Sequence, residues 1–311
     1  MDNFILVSIA DAGYYPLLCD LIGSVRVQTW PLNVRIGVVD VGLTQAQISE
    51  LNAFDIAVVP ARWNFAGEMP TGLPIATLAM LSKPFLRDYF PGHEFYVYLD
   101  ADTWIQGRET VTDLVQAAYD VDIAAAPELH CAYPHLYSID NGVKNLYRDA
   151  FKKVYGDAAS PADTAVFNGG VFAARHDSSL WLVWRSVLAE AVKIRGVPGP
   201  VGGPSILAEP TMSNYFIEQN ALNVAIYRAG IKVRCLSPLY NWICTLALPF
   251  YDPLQAVFVE PSPPYAPIRI VHLTGVGRDV TQVPDRYGLS HEVGLVWPGQ
   301  SLSWPNQSRA R

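Results

Sequence analysis

Two aspartates separated by one small residue follow the most apolar short stretch of the chain. Residues 95–99 read FYVYL, and Asp100-Ala101-Asp102 follows them directly. A short aromatic and β-branched run of this kind predicts a buried strand. Open α/β sheets bind ligands beyond the carboxyl ends of their strands, where two carboxylates can share a divalent cation that neutralises phosphate. The structural alternative is an ordinary turn, because Asp-x-Asp often closes one.

A second polar motif falls inside an apolar run. Residues 165–174 are predicted to form a strand that is interrupted at Asn168-Gly169-Gly170. Two glycines within a strand indicate either a β-bulge or the close approach of a ligand. The amide of Asn168 offers a donor and an acceptor to sugar hydroxyls. The plain bulge and the sugar-binding role both stay open from the sequence alone.

A third motif stands near the start of a helix predicted over 215–229. Glu218, Gln219 and Asn220 are consecutive acid or amide residues. Polar residues at such a position often cap the helix. Three in a row exceed what capping needs, which favours a functional role.

The fourth motif ends the strand predicted over 268–273. His272 is the last polar residue of that strand, and Gly275 and Arg278 follow it. Histidine is a common metal ligand, glycine lets backbone N–H groups approach an anion, and arginine binds phosphate. The four motifs together supply ligands for a metal, a cation for phosphate and amides for a sugar. No GxxxxGK[ST] loop, GxSxG elbow or HExxH motif accompanies them.

The elements that must position these residues begin with a β-α-β-α-β pattern. Strands are predicted over 4–10, 34–39 and 55–59, and helices over 14–28 and 44–51, with Thr44 as the N-cap of the second helix. This order predicts parallel strands with right-handed crossovers. The later helices are predicted over 75–90, 111–118 and 179–194, the later strands over 121–126 and 232–236, and loops over 61–74, 127–141 and 196–210.

Composition limits the classes of function. The chain has 311 residues, of which 50% are hydrophobic and 16% charged, with a formal net charge of −7. Such a chain can bury a large core, and its acidic balance argues against a general nucleic-acid binder. The four cysteines form no CxxC pair, so we expect buried free thiols rather than a zinc site. No signal peptide or membrane span is predicted, so we expect a cytoplasmic protein, with peripheral membrane contact left open.

The four motifs resemble, in order, those of retaining glycosyltransferases of the GT-A fold, in particular glycosyltransferase family 8. Asp100-Ala101-Asp102 resembles the metal-binding DxD motif of that family, and residues 167–171 resemble its Phe-Asn-Ala/Gly-Gly-Val motif. Residues 218–223 match its Asp-Gln-Asp-x-Leu-Asn motif, with Glu for the first Asp and Asn for the second. His272 matches its third metal ligand. Arg278 stands where the family has a diphosphate-binding lysine.

The resemblance implies a Rossmann-like, mostly parallel α/β sheet flanked by helices, with a smaller C-terminal acceptor-side region. The implied catalytic domain covers 1–280, with a nucleotide-binding half over 1–126 and a donor-sugar and acceptor half over 127–280. Residues 281–311 would be a C-terminal tail. The implied reaction transfers a hexose from a nucleotide diphosphate sugar, with UDP preferred, to a glycan or other hydroxyl with retention of configuration.

The resemblance also implies roles for individual residues. Asp100, Asp102 and His272 would bind Mn²⁺ or Mg²⁺. Gln219 would lie near the anomeric carbon in a front-face mechanism, with Glu218 as the competing covalent nucleophile. The residues expected to contact the donor are Ile9, Asp11, Tyr14, Lys83, Arg87, Asp100, Ala101, Asn168, Gly169, Gly170, Gly275 and Arg278. The residues expected on the acceptor side are Glu128, Asn241 and Trp242.

Two other functions fit parts of the same pattern. A sugar nucleotidyltransferase also uses paired acids and a divalent cation, but it would carry a glycine-rich basic loop after the first strand. Asp11-Ala12-Gly13-Tyr14 does not supply that loop. A non-catalytic nucleotide-sugar or glycan-binding module could keep the fold without the chemistry.

Overall fold

The chain opens with a parallel β-α-β-α-β unit, as the sequence predicts. The structure is a computed structural model that describes residues 3–69, 71, 73, 75–134, 152, 165–195 and 217–297. The elements of the unit are β1 (Phe4–Ala10), α1 (Tyr15–Thr29), β2 (Ile36–Asp40), α2 (Gln45–Ala53) and β3 (Ala57–Pro60). β2 pairs in parallel with both β1 and β3. Thr44 caps α2 through a reciprocal capping box with Gln47, which confirms the predicted N-cap.

The central sheet has seven strands, most of them parallel. The remaining strands of this sheet are β4 (Phe95–Leu99), β6 (Ile123–Pro127), β7 (Phe167–Arg175) and β8 (Val233–Cys235). The order across the sheet is β3-β2-β1-β4-β7-β6-β8. β7 runs antiparallel between β4 and β6. Its beginning therefore lies beside the end of β4, which brings two of the four motifs to the same edge.

A small three-stranded sheet covers that edge. It contains β5 (Thr103–Ile105), β9 (Trp242–Ile243) and β12 (Ile270–His272), in the order β5-β12-β9. The antiparallel pairing of β12 with β5 sets His272 opposite Thr103, one residue after Asp102. Two short hairpins complete the strands, β10 (Phe250–Asp252) with β11 (Val257–Val259) and β13 (Val283–Pro284) with β14 (Ser290–His291).

Helices pack on both faces of the central sheet, and each face has its own apolar core. The remaining α-helices with described bounds are α3 (Leu78–Ser82), α4 (Leu86–Tyr89), α5 (Thr110–Ala117), α6 (Leu180–Arg195) and α7 (Ile217–Arg228). The segment predicted as a helix over 75–90 is helical over 75–89, but it is not one α-helix, because 3-10 turns at Ile75–Thr77 and Lys83–Phe85 divide it. Pro84 lacks the N–H that an α-helix would need at that point.

The structure bears on two other expectations. β7 runs through Asn168-Gly169-Gly170 as one strand, but its pairing with β6 shifts there, from Phe172 opposite Ala125 to Phe167 opposite Pro127. Residues 168–171 of β7 then stand opposite Ala126 alone, so β7 bulges at the predicted interruption. Cys19 and Cys244 are buried free thiols, but Cys131 and Cys235 are exposed. Cys235 lies on β8, the edge strand of the sheet, which explains its exposure.

Two further expectations concern the limits of the fold. The predicted loop over 196–210 lies outside the described residues, as does the second half of the loop over 127–141. None of the helices that the structure describes is long and apolar enough to cross a membrane.

Residues 283 and 295 are buried in a third apolar cluster beside the small sheet, so part of the predicted tail packs on the domain.

Candidate functional site

Asp100, Asp102 and His272 converge at the edge where β4 and β12 end. One ligand atom from each of the three side chains lies within 4.8 Å of the others. The His272 Nε2 atom is 3.4 Å from Asp102 Oδ1 and 3.8 Å from Asp100 Oδ2. Two carboxylates and one imidazole form a donor set that suits a divalent cation. The residues therefore fit the metal that the sequence motifs predict.

Backbone hydrogen bonds hold the three ligands in place. The Asp100 N–H donates to the carbonyl of Gly170 at 2.8 Å, which ties the end of β4 to β7. The Leu273 N–H donates to the carbonyl of Asp102 at 3.0 Å, which ties the end of β12 to the same turn. Strand pairing thus joins ligands that are about 170 positions apart in sequence.

Buried electrostatics couple the imidazole to its acidic neighbours. Burial alone would lower the pKa of His272, but the adjacent Asp102 carboxylate raises it above its ordinary value. Burial alone would raise the pKa of Asp102, and the His272 imidazole lowers it. Both shifts favour the charged forms, as expected for an acid and a base in direct contact.

A buried lysine orients the Asp100 carboxylate. The Lys83 ammonium lies 3.2 Å from Asp100 Oδ1, and the hydroxyl of Tyr98 donates to the same oxygen at 2.6 Å. The other oxygen, Oδ2, faces His272. Tyr98 was not predicted to belong to the site. It lies two residues before Asp100 on the same strand, so the period-two side-chain alternation could have identified it.

Lys83 also holds Glu218 near the start of α7. Its ammonium lies 3.3 Å from Glu218 Oε2 and donates to the Gly169 carbonyl at 3.1 Å. Burial would lower the pKa of Lys83, but the two carboxylates raise it above its ordinary value. Burial, with Asp100 nearby, raises the pKa of Glu218 to about 7 although Lys83 opposes that shift.

Gly169 and Gly170 let the site close tightly. A Cβ atom at Gly170 would lie 2.5 Å from His272 Cε1 and 2.6 Å from Asp100 Oδ2. A Cβ atom at Gly169 would lie 2.7 Å from Glu218 Oε1. The glycines therefore lie in a bulge of β7 and also allow the close approach of protein side chains.

The amides and the remaining acid form a connected group. Asn168 Nδ2 donates to Glu128 Oε1 at 3.0 Å and to Gln219 Oε1 at 3.2 Å. Asn168 Oδ1 accepts from the Gly170 N–H at 2.8 Å and from Asn241 Nδ2 at 3.1 Å. An amide has two donor hydrogens and two acceptor lone pairs, so the capacity of Asn168 is used within the protein. The sugar contact predicted for Asn168 would require breaking one of these bonds.

The predicted nucleotide-binding residues gather at the same edge. The Arg278 guanidinium lies over the ring of Tyr14, with 4.4 Å between Cζ and the ring centroid. Its Nε and Nη2 atoms are buried and have no hydrogen-bond partner among the described residues. Asp11 Oδ1 accepts from the N–H groups of Gly13 and Tyr14 and so shapes the turn after β1. Gly275 adopts a left-handed φ of 85° that favours glycine.

Two predicted residues lie elsewhere. Arg87 donates to the carbonyl of His176, beyond the opposite end of β7, so it does not join Lys83. Trp242 is fully buried, and its ring packs against His130 and Tyr133. It belongs to the core and offers no face to an acceptor sugar.

The other predicted residues are close-packed. Ile9 is buried in β1, and Ala101 is buried between Asp100 and Asp102. Glu128 and Asn241 are also buried, within the amide group and not on an open surface.

Comparisons with known proteins address the fold. No protein-family model matches the sequence, and no curated protein matches it. One similar structure is that of the galactosyltransferase LgtC, solved with donor and acceptor sugar analogs. The match covers 88% of this chain and 87% of LgtC, with 16% sequence identity and a TM-score of 0.51. The chain has a GT-A fold. This agrees with the fold that the motif resemblance implies.

Other glycosyltransferase structures match less closely in shape. An active-site mutant of LgtC matches 87% of this chain and 87% of its own, at 18% identity and a TM-score of 0.49. The bifunctional glycosyltransferase WbbM matches 77% of this chain and 40% of its own, at 14% identity and a TM-score of 0.49.

Proposed function

We propose that the protein is a metal-dependent retaining glycosyltransferase that moves a hexose from a nucleotide diphosphate sugar to an acceptor hydroxyl. The convergence of Asp100, Asp102 and His272 within 4.8 Å carries this proposal. The GT-A fold supports it, as does the order of the four family 8 motifs. UDP is the nucleotide that the motif resemblance favours.

The metal ligands and Arg278 are the residues proposed to act on the part of the donor that departs. Asp100, Asp102 and His272 would hold Mn²⁺ or Mg²⁺, which when bound supplies Lewis-acid stabilisation to the leaving diphosphate. Arg278 carries buried N–H groups without a partner among the described residues, and such groups suit a phosphate oxygen. It would add electrostatic stabilisation as negative charge develops on the leaving group.

Gln219 and Glu218 are the candidates for the reacting side of the sugar. A carboxamide is a poor nucleophile, so Gln219 favours front-face attack, in which its oxygen stabilises the positive anomeric centre. The Glu218 carboxylate is paired with Lys83, and its pKa is raised to about 7. Both features weaken Glu218 as the covalent nucleophile.

A screen of nucleotide sugars without acceptor tests the proposal. We expect Mn²⁺-dependent hydrolysis of one donor by the wild-type protein, and loss of at least about a hundredfold in Asp102→Ala and His272→Ala, since both remove a metal ligand. His291→Ala is the matched control, because His291 also pairs with an aspartate, Asp285, but in the β13–β14 hairpin and outside the metal cluster. It should keep wild-type hydrolysis.

The alternatives give different results in the same experiment. Thermal stabilisation by Mn²⁺ and UDP with no sugar consumed would favour a non-catalytic binding module. Release of pyrophosphate from a nucleoside triphosphate and a sugar phosphate would identify a nucleotidyltransferase. Full hydrolysis by both ligand variants would refute the proposed site.

A further inference from the structure

An unbroken chain of side-chain hydrogen bonds leads from the metal cluster to Gln219. His272 Nδ1 and Asn241 Oδ1 are 2.8 Å apart, and Asn241 Nδ2 is 3.1 Å from Asn168 Oδ1. Asn168 Nδ2 reaches both Glu128 Oε1 and Gln219 Oε1, and Gln219 Nε2 lies 3.2 Å from Glu128 Oε1. All five side chains are buried or partly buried, so water does not compete freely for these bonds.

The contacts of Asn168 fix which groups donate and which accept along this series of hydrogen bonds. The Gly170 N–H can only donate, so the Asn168 atom that it meets must be the carbonyl oxygen. A carboxylate can only accept, so the atom that meets Glu128 must be the amide nitrogen. The two constraints agree, and they exclude the flipped amide.

The orientation of Asn168 also determines which nitrogen of His272 carries a hydrogen. Because Asn168 presents its oxygen to Asn241, Asn241 must donate to it through Nδ2. The oxygen of Asn241 therefore faces His272, and the Nδ1 atom of His272 must carry a hydrogen. The neutral imidazole then has its lone pair on Nε2, the atom that faces the two carboxylates.

The same constraints orient the catalytic amide candidate. Gln219 must donate to Glu128 through Nε2, so its oxygen accepts from Asn168. The Gln219 oxygen, rather than its nitrogen, is thus held beside Asn168.

We propose that Asn241, Asn168 and Glu128 are positioning residues that act through this directed chain. Asn241 and Asn168 exclude the Nε2–H tautomer of His272, and Glu128 fixes the amide orientation of Gln219. The second role rests on the proposed function, whereas the first concerns metal binding alone. Glu128 and Asn241 thereby take a role different from the acceptor contacts predicted from the sequence.

The exclusion of the Nε2–H tautomer leaves the Nε2 atom of His272 able to ligate a metal. The carboxylates of Asp100 and Asp102 face Nε2 and, by themselves, favour a hydrogen on that atom. An imidazole with that tautomer presents its lone pair away from the cluster and cannot ligate through Nε2. Asn241 opposes this preference, in the way that outer-shell partners fix the tautomer of ligating histidines in general.

Measurements on the metal-free full-length protein test the first role directly. Long-range proton–nitrogen NMR at alkaline pH, where the His272 ring is neutral, should show the Nδ1–H tautomer in the wild-type protein. The Nε2–H tautomer would overturn the proposal. This measurement needs no variant, so it decides the matter even if a substitution prevents folding.

Metal affinity gives the second readout. Mn²⁺ binding measured by calorimetry should weaken about 10- to 100-fold in Asn241→Leu, because nothing then accepts from Nδ1. Asn241→Asp should lose less affinity than Asn241→Leu, since a carboxylate accepts from the same N–H although its second oxygen no longer donates to Asn168. Wild-type affinity in folded Asn241→Leu, or an equal loss in both variants, would contradict the proposed role of Asn241.

Two variants of Glu128 test the other end of the chain. Both Glu128→Gln and Glu128→Leu should leave Mn²⁺ affinity within about twofold of wild type, because Gly170 still fixes Asn168. Glu128→Leu should lower kcat for donor hydrolysis with little change in KM. Glu128→Gln should recover most of that kcat, since both bonds go to the Oε1 atom that glutamine also has.

The outcomes separate this inference from the proposed function. Equal kcat losses in Glu128→Gln and Glu128→Leu would show that Glu128 acts through its charge, which overturns its positioning role. If the wild-type protein consumes no donor, the proposed function fails. The tautomer and the Mn²⁺ affinities of the Asn241 variants then still decide whether the chain orients His272.

Discussion

The metal cluster depends on the missing side chain at position 170. A methyl group there would overlap the side chains of His272 on β12 and Asp100 after β4, so these side chains would have to shift. Gly170 is thus required by its neighbours in space. The sequence showed only that a glycine interrupts an apolar run, which a bulge would explain equally well.

We expect Gly170→Ala to destabilise the protein and impair Mn²⁺ binding. Overpacking of this kind costs about 1–3 kcal/mol of unfolding free energy. Gly294→Ala is the control, because a Cβ atom there would make an ordinary 3.4 Å contact with Val296. Urea unfolding and Mn²⁺ calorimetry of both variants measure the effect. Wild-type Mn²⁺ affinity in Gly170→Ala would contradict the close approach.

The sequence predicts the roles of some site residues but not of others. Asp100, Asp102 and His272 have donor types and strand-end positions that indicate a metal site by themselves, and their convergence is confirmed. The partners of Asn168 could not be predicted in this way. Its amide meets Glu128, Asn241 and Gln219 only because an antiparallel strand brings them together, and no local pattern records that pairing.

At the scale of elements, the break at Pro84 decides which basic residue reaches the site. In one continuous helix, Lys83 and Arg87 would lie on the same face, since residues four apart are neighbours. The 3-10 turn at Lys83–Phe85 changes that relation. Lys83 faces Asp100 and Glu218, and Arg87 faces the opposite end of the sheet. The sequence could therefore supply both candidates but could not choose between them.

A contact between two turns joins the regions expected to bind base and diphosphate. Arg278, after β12, rests on the ring of Tyr14, after β1. We expect Tyr14→Ala to weaken UDP binding in the presence of Mn²⁺ by about fivefold, the equivalent of about 1 kcal/mol for a cation–π contact. Tyr14→Phe keeps the ring and should bind UDP as the wild-type protein does. Calorimetry compares the three proteins, and equal affinities would exclude a role for the stacking.

At the scale of the whole molecule, the domain continues past residue 280. Trp104 donates from its indole N–H to the carbonyl of Leu295 at 2.7 Å, and the Leu295 side chain is fully buried. The sequence after Arg278 has little periodicity, because β13 and β14 are two residues long each. Segments this short leave no alternation to detect, so packing alone identifies them as part of the domain.

Leu295→Ala tests whether this segment stabilises the domain. We expect a loss of about 2–5 kcal/mol of unfolding free energy, the usual cost of truncating a buried leucine. Leu289→Ala is the matched control in the same segment, since that side chain is 63% exposed and should change stability by about 0.5 kcal/mol or less. Similar urea midpoints for the two variants would show that residues 281–297 contribute little.

Lys83, Asp100 and Glu218 form a buried ion trio beside the metal cluster, in which Lys83 contacts two carboxylates and Asp102 adds another nearby. A cation held at the cluster would attract a diphosphate that binds beside it. Under the proposed function, cation and nucleotide must each increase the affinity for the other by the same factor. Cellular fluctuations in divalent cation concentration would then set the effective affinity for the sugar donor.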